Sequence, residues 1–241
     1  MKRAVVMGAS SGLGREVARL LLEDDWTVGI AARREELLLE LKELYPDRVE
    51  VLAIDVTSAD APQRLLELIR RLGGLNLYFH ASGVGWQNFE LDMKKESDTA
   101  EVNVSGFTRM IDTAFNYMAE NHGGDIAVIS SIAGTKGLGA APSYSASKAY
   151  QNTYIQSLEQ LSNMRRLHIR FTDIRPGFVD TALLSGGSYP LLMRPETVAR
   201  QIVDAVYRHK HVKIIDWRYR ILVFFWRLIP RNIWRKMNVR N

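Results

Sequence analysis

The stretch "AVVMGASSGLGR", residues 4–15, sets an apolar run directly against a glycine-rich turn. Ala4 to Met7 read as a strand buried on both faces. Gly8, Gly12 and Gly14 then let the chain turn tightly, approach a pyrophosphate and seat a helix against a sheet. The helix start supplies backbone amides and positive potential to phosphates. Gly8, Ser10, Ser11, Gly12, Leu13 and Gly14 are therefore candidate cofactor contacts. The spacing is G-x-x-x-G-x-G, unlike the G-x-G-x-x-G of other dinucleotide folds.

Outward from this turn the pattern repeats. Apolar, β-branched runs at 4–7, 27–32, 49–54, 75–80, 125–130, 169–174 and 212–215 show little polar alternation, as parallel strands buried on both faces require. Helical patterns lie between them near 13–24, 35–45, 61–72, 97–121, 144–164 and 195–208. Pro62 and Pro195 suit first helical turns, and Gly73-Gly74 suits a helix end. The expected fold is α/β: a Rossmann-type doubly wound parallel sheet of about seven strands, helices on both faces, and a short C-terminal apolar and basic helical appendage. The division expected is 1–216 as catalytic domain and 217–241 as tail.

The chain has 241 residues, 46% of them hydrophobic, enough for one large domain. It has no cysteine, so disulfides and thiolate metal sites are excluded and a cytoplasmic setting is compatible. The five histidines show no metal-ligand spacing beyond His209 and His211, and no metal is expected. No run reaches the eighteen or so apolar residues of a membrane span.

The end of the second strand bears on cofactor choice. A carboxylate there would accept from a ribose 2′-hydroxyl and repel a 2′-phosphate. The chain instead offers "AARRE" (31–35), two guanidiniums and no acid at the strand end. Arg33, with Arg34 beside it, favours NADP(H). Asp55, closing the third strand, is placed to meet the adenine edge, although such an Asp is often a helix cap.

"YSASK" (144–148) puts a tyrosine and a lysine one helical turn apart, on the same face, with only small residues between. The pair makes sense where a tyrosine must give up a proton near neutral pH against something bulky.

"GASSGLG", "IDVT", "EVNVSG", "ISSIAG", "YSASK" and "RPGFVDT" occur in that order, and over about residues 3–215 the chain resembles the short-chain dehydrogenase/reductase family. The resemblance implies Asn103, Ser131, Tyr144 and Lys148 as the catalytic four. Tyr144 would donate a proton to a carbonyl oxygen, and Lys148 would favour the tyrosinate and hold the ribose. Ser131 would orient the carbonyl, and Asn103 would hold a water relaying protons to Lys148. Ser130, one place earlier, is expected to point the other way. Val56, Ser82, Gly83, Pro176, Gly177, Val179 and Thr181 complete the implied cofactor contacts, with Tyr144 and Lys148. Departures are Met7, where threonine is usual, and "HASG" (80–83), where Asn-Asn-Ala-Gly is common. His80 is expected to pack locally. The segment "ALLSGGSYPLLMRP" (182–195), with a Gly-Gly hinge, suits either a lid over an apolar substrate or an ordinary loop. Trp86 and Phe89 are candidate apolar walls.

Net charge is +5, yet residues 217–241 hold seven cations and no acid, leaving −2 for the rest. Ile221 to Trp226 is a continuous apolar run flanked by tryptophans and arginines. It is too short to span and resembles an interfacial anchor for anionic lipid; a pocket cap or a subunit contact in a homodimer or homotetramer are the alternatives. Nucleic acid is not expected, since the tail is too apolar to track phosphates. The expected function is NADP(H)-dependent interconversion of a ketone, lipid-like in one reading, and a secondary alcohol. The alternative is a non-catalytic NADP-binding regulatory or scaffold protein at a membrane surface.

Overall fold

The computed structural model describes residues 2–184 and 189–239. Seven strands, β1 (Arg3–Met7), β2 (Thr27–Ala32), β3 (Val49–Ala53), β4 (Leu77–His80), β5 (Gly124–Ile129), β6 (Ile169–Arg175) and β7 (Val212–Ile214), form one sheet in the order β3-β2-β1-β4-β5-β6-β7. Every pairing is parallel. The chain winds outward from β1 to β3, then crosses back to β4 and winds the other way. A crevice therefore opens at the carboxyl ends of β1 and β4, where the winding reverses.

The helices are α1 (Gly12–Glu23), α2 (Glu36–Leu44), α3 (Ala61–Leu72), α4 (Met93–Ala100), α5 (Phe107–Glu120), α6 (Pro142–Arg165), α7 (Pro195–Tyr207), α8 (Trp217–Leu228) and α9 (Arg231–Trp234). Strand alternation divides the core. Ala4 and Val6 face one apolar cluster with Val17 and Leu21 of α1 and Ile202 of α7, while Val5 and Met7 face another with Leu65 of α3, Ile111 of α5 and Ile155 of α6. α3 shows the local logic: Pro62 sits in its first turn, Leu65, Leu68, Ile69 and Leu72 form its buried stripe, and left-handed Gly73 closes it.

Two departures matter for the site. The helix expected over 97–121 starts earlier, at Met93, because the Asp92 side chain accepts from the amides of Lys94 and Lys95. It also contains a π-helical turn over Glu101–Gly106, which separates α4 from α5 and carries Asn103. Periodicity counts apolar positions and does not register such a widening. The tail is helical, and Tyr219 and Val223 of α8 are buried within the first cluster. No helix among the described residues is long and apolar enough to cross a membrane.

Candidate active site

Gly8 and Gly14 are demanded by close approaches. Gly8 has φ +92°, and a Cβ there would lie 2.7 Å from Ser82 N; a Cβ on Gly14 would lie 2.2 Å from the Gly8 carbonyl oxygen. The turn thus folds onto itself and onto the loop after β4. It opens a cavity of about 400 Å³ lined by Gly8, Ser10, Ser11, Gly12, Leu13 and Gly14. Arg33, Arg34, Asp55, Val56, Ser82, Gly83 and Thr181 line it too, as do the apolar side chains of Val84, Trp86, Val102 and Leu183. Asp55 also accepts from the Thr57 amide and hydroxyl, so its local capping role and its place in the cleft coexist. Phe89 is exposed and stands outside the lining.

Pro176, Gly177 and Val179 do not line this cavity. The Pro176 carbonyl accepts from the Ile132 amide, and Val179 is buried in the core and bridged to Met193. Gly177 lies flat against the Tyr219 ring, where a Cβ would come 2.2 Å from its Cζ. That glycine makes room for a side chain 42 residues onward. Of the apolar segment 182–195, the Gly186-Gly187 hinge lies outside the described residues.

The four residues expected to be catalytic come from three elements, and none of them is among the residues lining this cavity. Ser131 follows β5 and caps the short 3₁₀ turn Ile132–Thr135, its Oγ accepting from the Ala133 amide at 3.1 Å. Ser130 points away, as alternation requires, and donates to the Asp173 carboxylate. Tyr144 lies one turn before Lys148 on α6, with its ring against Gly85, where a Cβ would be 2.4 Å from Tyr144 Cδ2. Burial pushes the Tyr144 hydroxyl pKa up, against a smaller downward pull from nearby Ser131. Lys148 Nζ sits 5.8 Å from the Tyr144 ring centre and donates to the Ile129 carbonyl and to Gln151 Oε1. Burial lowers its pKa to about 8, against a smaller upward pull from Asp173. Asp173 is itself paired with Arg175 at 2.6 Å.

Asn103 is fully buried. Its Oδ1 accepts from Val84 N at 2.9 Å, and its Nδ2 donates to Val84 O at 2.7 Å and Ser147 Oγ at 3.1 Å. Its backbone carbonyl accepts from Gln151 Nε2. The Gln151 side-chain amide links this carbonyl to Lys148, whose Nζ donates to Gln151 Oε1. Gln151 escaped the sequence reading, although it lies three residues after Lys148 on the same helix face. Gly85 and Tyr219 escaped it as well, since only tertiary contact reveals them.

His80 packs at the end of β4, with Nδ1 3.0 Å from the Tyr78 hydroxyl and its ring edge-on to Phe107. Burial, with the nearby Lys148 charge, pushes its pKa down to about 3. His209 and His211 turn to Asp125 and Glu159 separately. Among the described residues no group of three or more His, Asp or Glu could hold a metal ion.

Known proteins match this arrangement. A family model described as short chain dehydrogenase matches residues 2–187. An uncharacterized oxidoreductase of Myxococcus xanthus is 34% identical over 202 residues, covering 81% of this chain and 79% of that protein. A short-chain dehydrogenase from Streptomyces avermitilis superposes with a TM-score of 0.82 at 23% identity, covering 94% of this chain and 93% of that one. An alcohol dehydrogenase from the archaeon Thermococcus sibiricus, complexed with 5-hydroxy-NADP, superposes with a TM-score of 0.77 at 22% identity, covering 89% and 96%. At these identities the two structures speak for the fold. The family match, which spans the glycine turn, the crevice and the Tyr144–Lys148 helix, shows that the chain belongs to the short-chain dehydrogenase family of oxidoreductases.

Proposed function

We propose that the protein is an NADP(H)-dependent oxidoreductase that interconverts an apolar ketone and a secondary alcohol, working as a reductase. The observation that carries the reading is Tyr144: a hydroxyl kept protonated by burial, beside Ser131, one turn from a lysine ammonium. A protonated phenol is the acid that carbonyl reduction needs.

The cleft suits the cofactor on its own geometry. Gly8 and Gly14 leave no room for side chains, so backbone lies bare at the start of α1. Ser11 precedes that helix without capping it, leaving the first-turn amides to an anion. Arg33 and Arg34 line the end of the cleft where β2 finishes, and they suit a 2′-phosphate. The bound analogue in the archaeal alcohol dehydrogenase is in keeping with this choice. When bound, the cofactor supplies the hydride that reduces the carbonyl carbon.

The chain's own residues do the rest. Ser131 Oγ hydrogen-bonds the carbonyl oxygen and steadies its developing charge. Tyr144 Oη passes its proton to that oxygen, completing the alcohol. The Lys148 ammonium stabilises the phenolate left behind. Val84, Trp86 and Leu183 present apolar surface to the cleft, which suits a hydrophobic ketone and a lipid-like one in particular.

The test is turnover against a chain-length series of ketones with NADPH and with NADH, in the native protein and Tyr144→Phe. Phenylalanine keeps the ring and removes the acid. The variant should bind NADPH normally, by fluorescence titration, and lose at least about a hundredfold in kcat. A variant with near-native turnover would remove Tyr144 from the chemistry. Native protein that binds NADPH and reduces no ketone would favour a binding role.

A further inference from the structure

We propose that the outward face of α8 is a docking surface for an anionic phospholipid bilayer. The helix has two apolar faces. The inner one is used: Tyr219 and Val223 are buried in the core, and Trp226 Nε1 donates to Thr135 Oγ1 at 2.9 Å. The outer one carries Trp217, Ile221, Phe224, Phe225 and Leu228, at i, i+4, i+7, i+8 and i+11, with relative exposures of 66%, 49%, 62%, 61% and 64%. Five large side chains in one exposed stripe exceed the scattered apolar residues of an ordinary surface.

Charge identifies the occupant. Arg220 and Arg227 edge the stripe one helical side away, and Arg231, Arg235 and Lys236 follow. All five are exposed, and none has an ion pair among the described residues, whereas Arg218 is held by Asp216. A second copy docking through this face by a two-fold would set these cations against their own equivalents, with no carboxylate in the segment to answer them. A nucleic acid would find phosphate contacts but no use for the stripe. An anionic bilayer accepts both, burying the aromatics at headgroup depth beside the arginines. α8 is also about 18 Å long, which fits lying in the interface and not crossing it.

The surface is preformed. Lys136 Nζ donates to the Ile229 carbonyl at 2.6 Å and lies 5.1 Å from the Trp234 ring centre, and Trp234 Nε1 donates to the Gly137 carbonyl at 2.8 Å. The turn that receives α8 directly follows Ser131.

The experiment is co-sedimentation of the full chain with vesicles of phosphatidylcholine alone and of phosphatidylcholine with phosphatidylglycerol. The native protein should sediment with the anionic vesicles. A Phe224→Asp, Phe225→Asp variant should partition about tenfold less, and an Arg220→Gln, Arg227→Gln variant several-fold less. Both pairs lie on the exposed edge or stripe, so thermal unfolding should match the native protein. Sedimentation needs neither cofactor nor ketone, so the outcome is independent of the reductase reading. Native protein that stays in the supernatant, or an aspartate variant that sediments equally, would overturn the proposal. So would a dimer, seen by ultracentrifugation without lipid, that the aspartates dissociate.

Discussion

The side-chain amide of Gln151 joins Lys148 to the backbone of Asn103, accepting from Lys148 Nζ at 2.9 Å and donating to the Asn103 carbonyl at 2.9 Å. An amide neither releases nor gains a proton near neutral pH, so this bridge holds the ammonium in place. The bridge should also set the pH range of activity. Lys148 titrates at about 8, below which it is charged and can support the phenolate, so reduction should fall as pH rises through that value. Gln151→Leu removes an acceptor for the charged form, lowers the lysine pKa and moves the alkaline limb of kcat down. Gln151→Glu adds a carboxylate and moves it up. Shifts of about half to one pH unit, opposite in sign, are expected. Two variants that lose activity with the limb unmoved would reduce Gln151 to packing.

Arg33 should carry cofactor choice. It lines the cleft beside Ala32, where a carboxylate would select the unphosphorylated cofactor. Arg33→Ala should weaken NADPH binding by several-fold to about a hundredfold, the scale of one charge-assisted contact of about 1.5–3 kcal/mol. NADH binding should hardly change. Titration of both cofactors by fluorescence decides it; an unaltered preference would pass the role to Arg34.

The sheet was legible because parallel strands buried on both faces read as unbroken apolar runs, and the strand runs fall within about two residues of those seen. The glycine turn was legible because its close approaches tolerate no side chain. The π turn that carries Asn103 was not, because nothing in "EVNVSG" announces it. The C-terminal run was read as a single apolar block, yet Tyr219, Val223 and Trp226 face inward while Phe224 and Phe225 face out. Only the path of the chain over Gly177 separates the two faces.

His80 should make the fold acid-sensitive. Its pKa falls from 6.5 to about 3 on burial, so the unfolded chain binds a proton across that window and the folded one does not. The sign follows: this contribution is fully present above pH 6.5 and is lost as pH falls towards 3. Between pH 6.5 and 5 it amounts to about 2 kcal/mol. Denaturant unfolding of the native protein and His80→Gln across that interval should show the variant losing less stability on acidification. Parallel pH profiles would mean that His80 finds compensating contacts when charged.

Tyr219 should govern the segment that follows β6 from outside the cleft. Its hydroxyl accepts from the Phe178 amide at 3.1 Å and donates to the Pro190 carbonyl at 2.9 Å, tying together the two ends of the segment that follows β6. Its ring covers Gly177. Tyr219→Phe keeps the ring and cuts the tie, leaving the Phe178 amide without its partner at a cost of about 1–2 kcal/mol. Tyr219→Ala also empties a core position, and the cost rises to about 3–5 kcal/mol. The phenylalanine variant should therefore unfold a few degrees lower, and, if the segment shapes binding as the proposed reductase requires, its KM for bulky ketones should rise while kcat stays near native. Removing 217–241 should resemble Tyr219→Ala in stability and add the loss of Val223 and Trp226. Thermal unfolding with steady-state kinetics separates the cases. A Tyr219→Phe protein with native melting and native KM would show that the ring on Gly177, and not the hydroxyl, holds the loop.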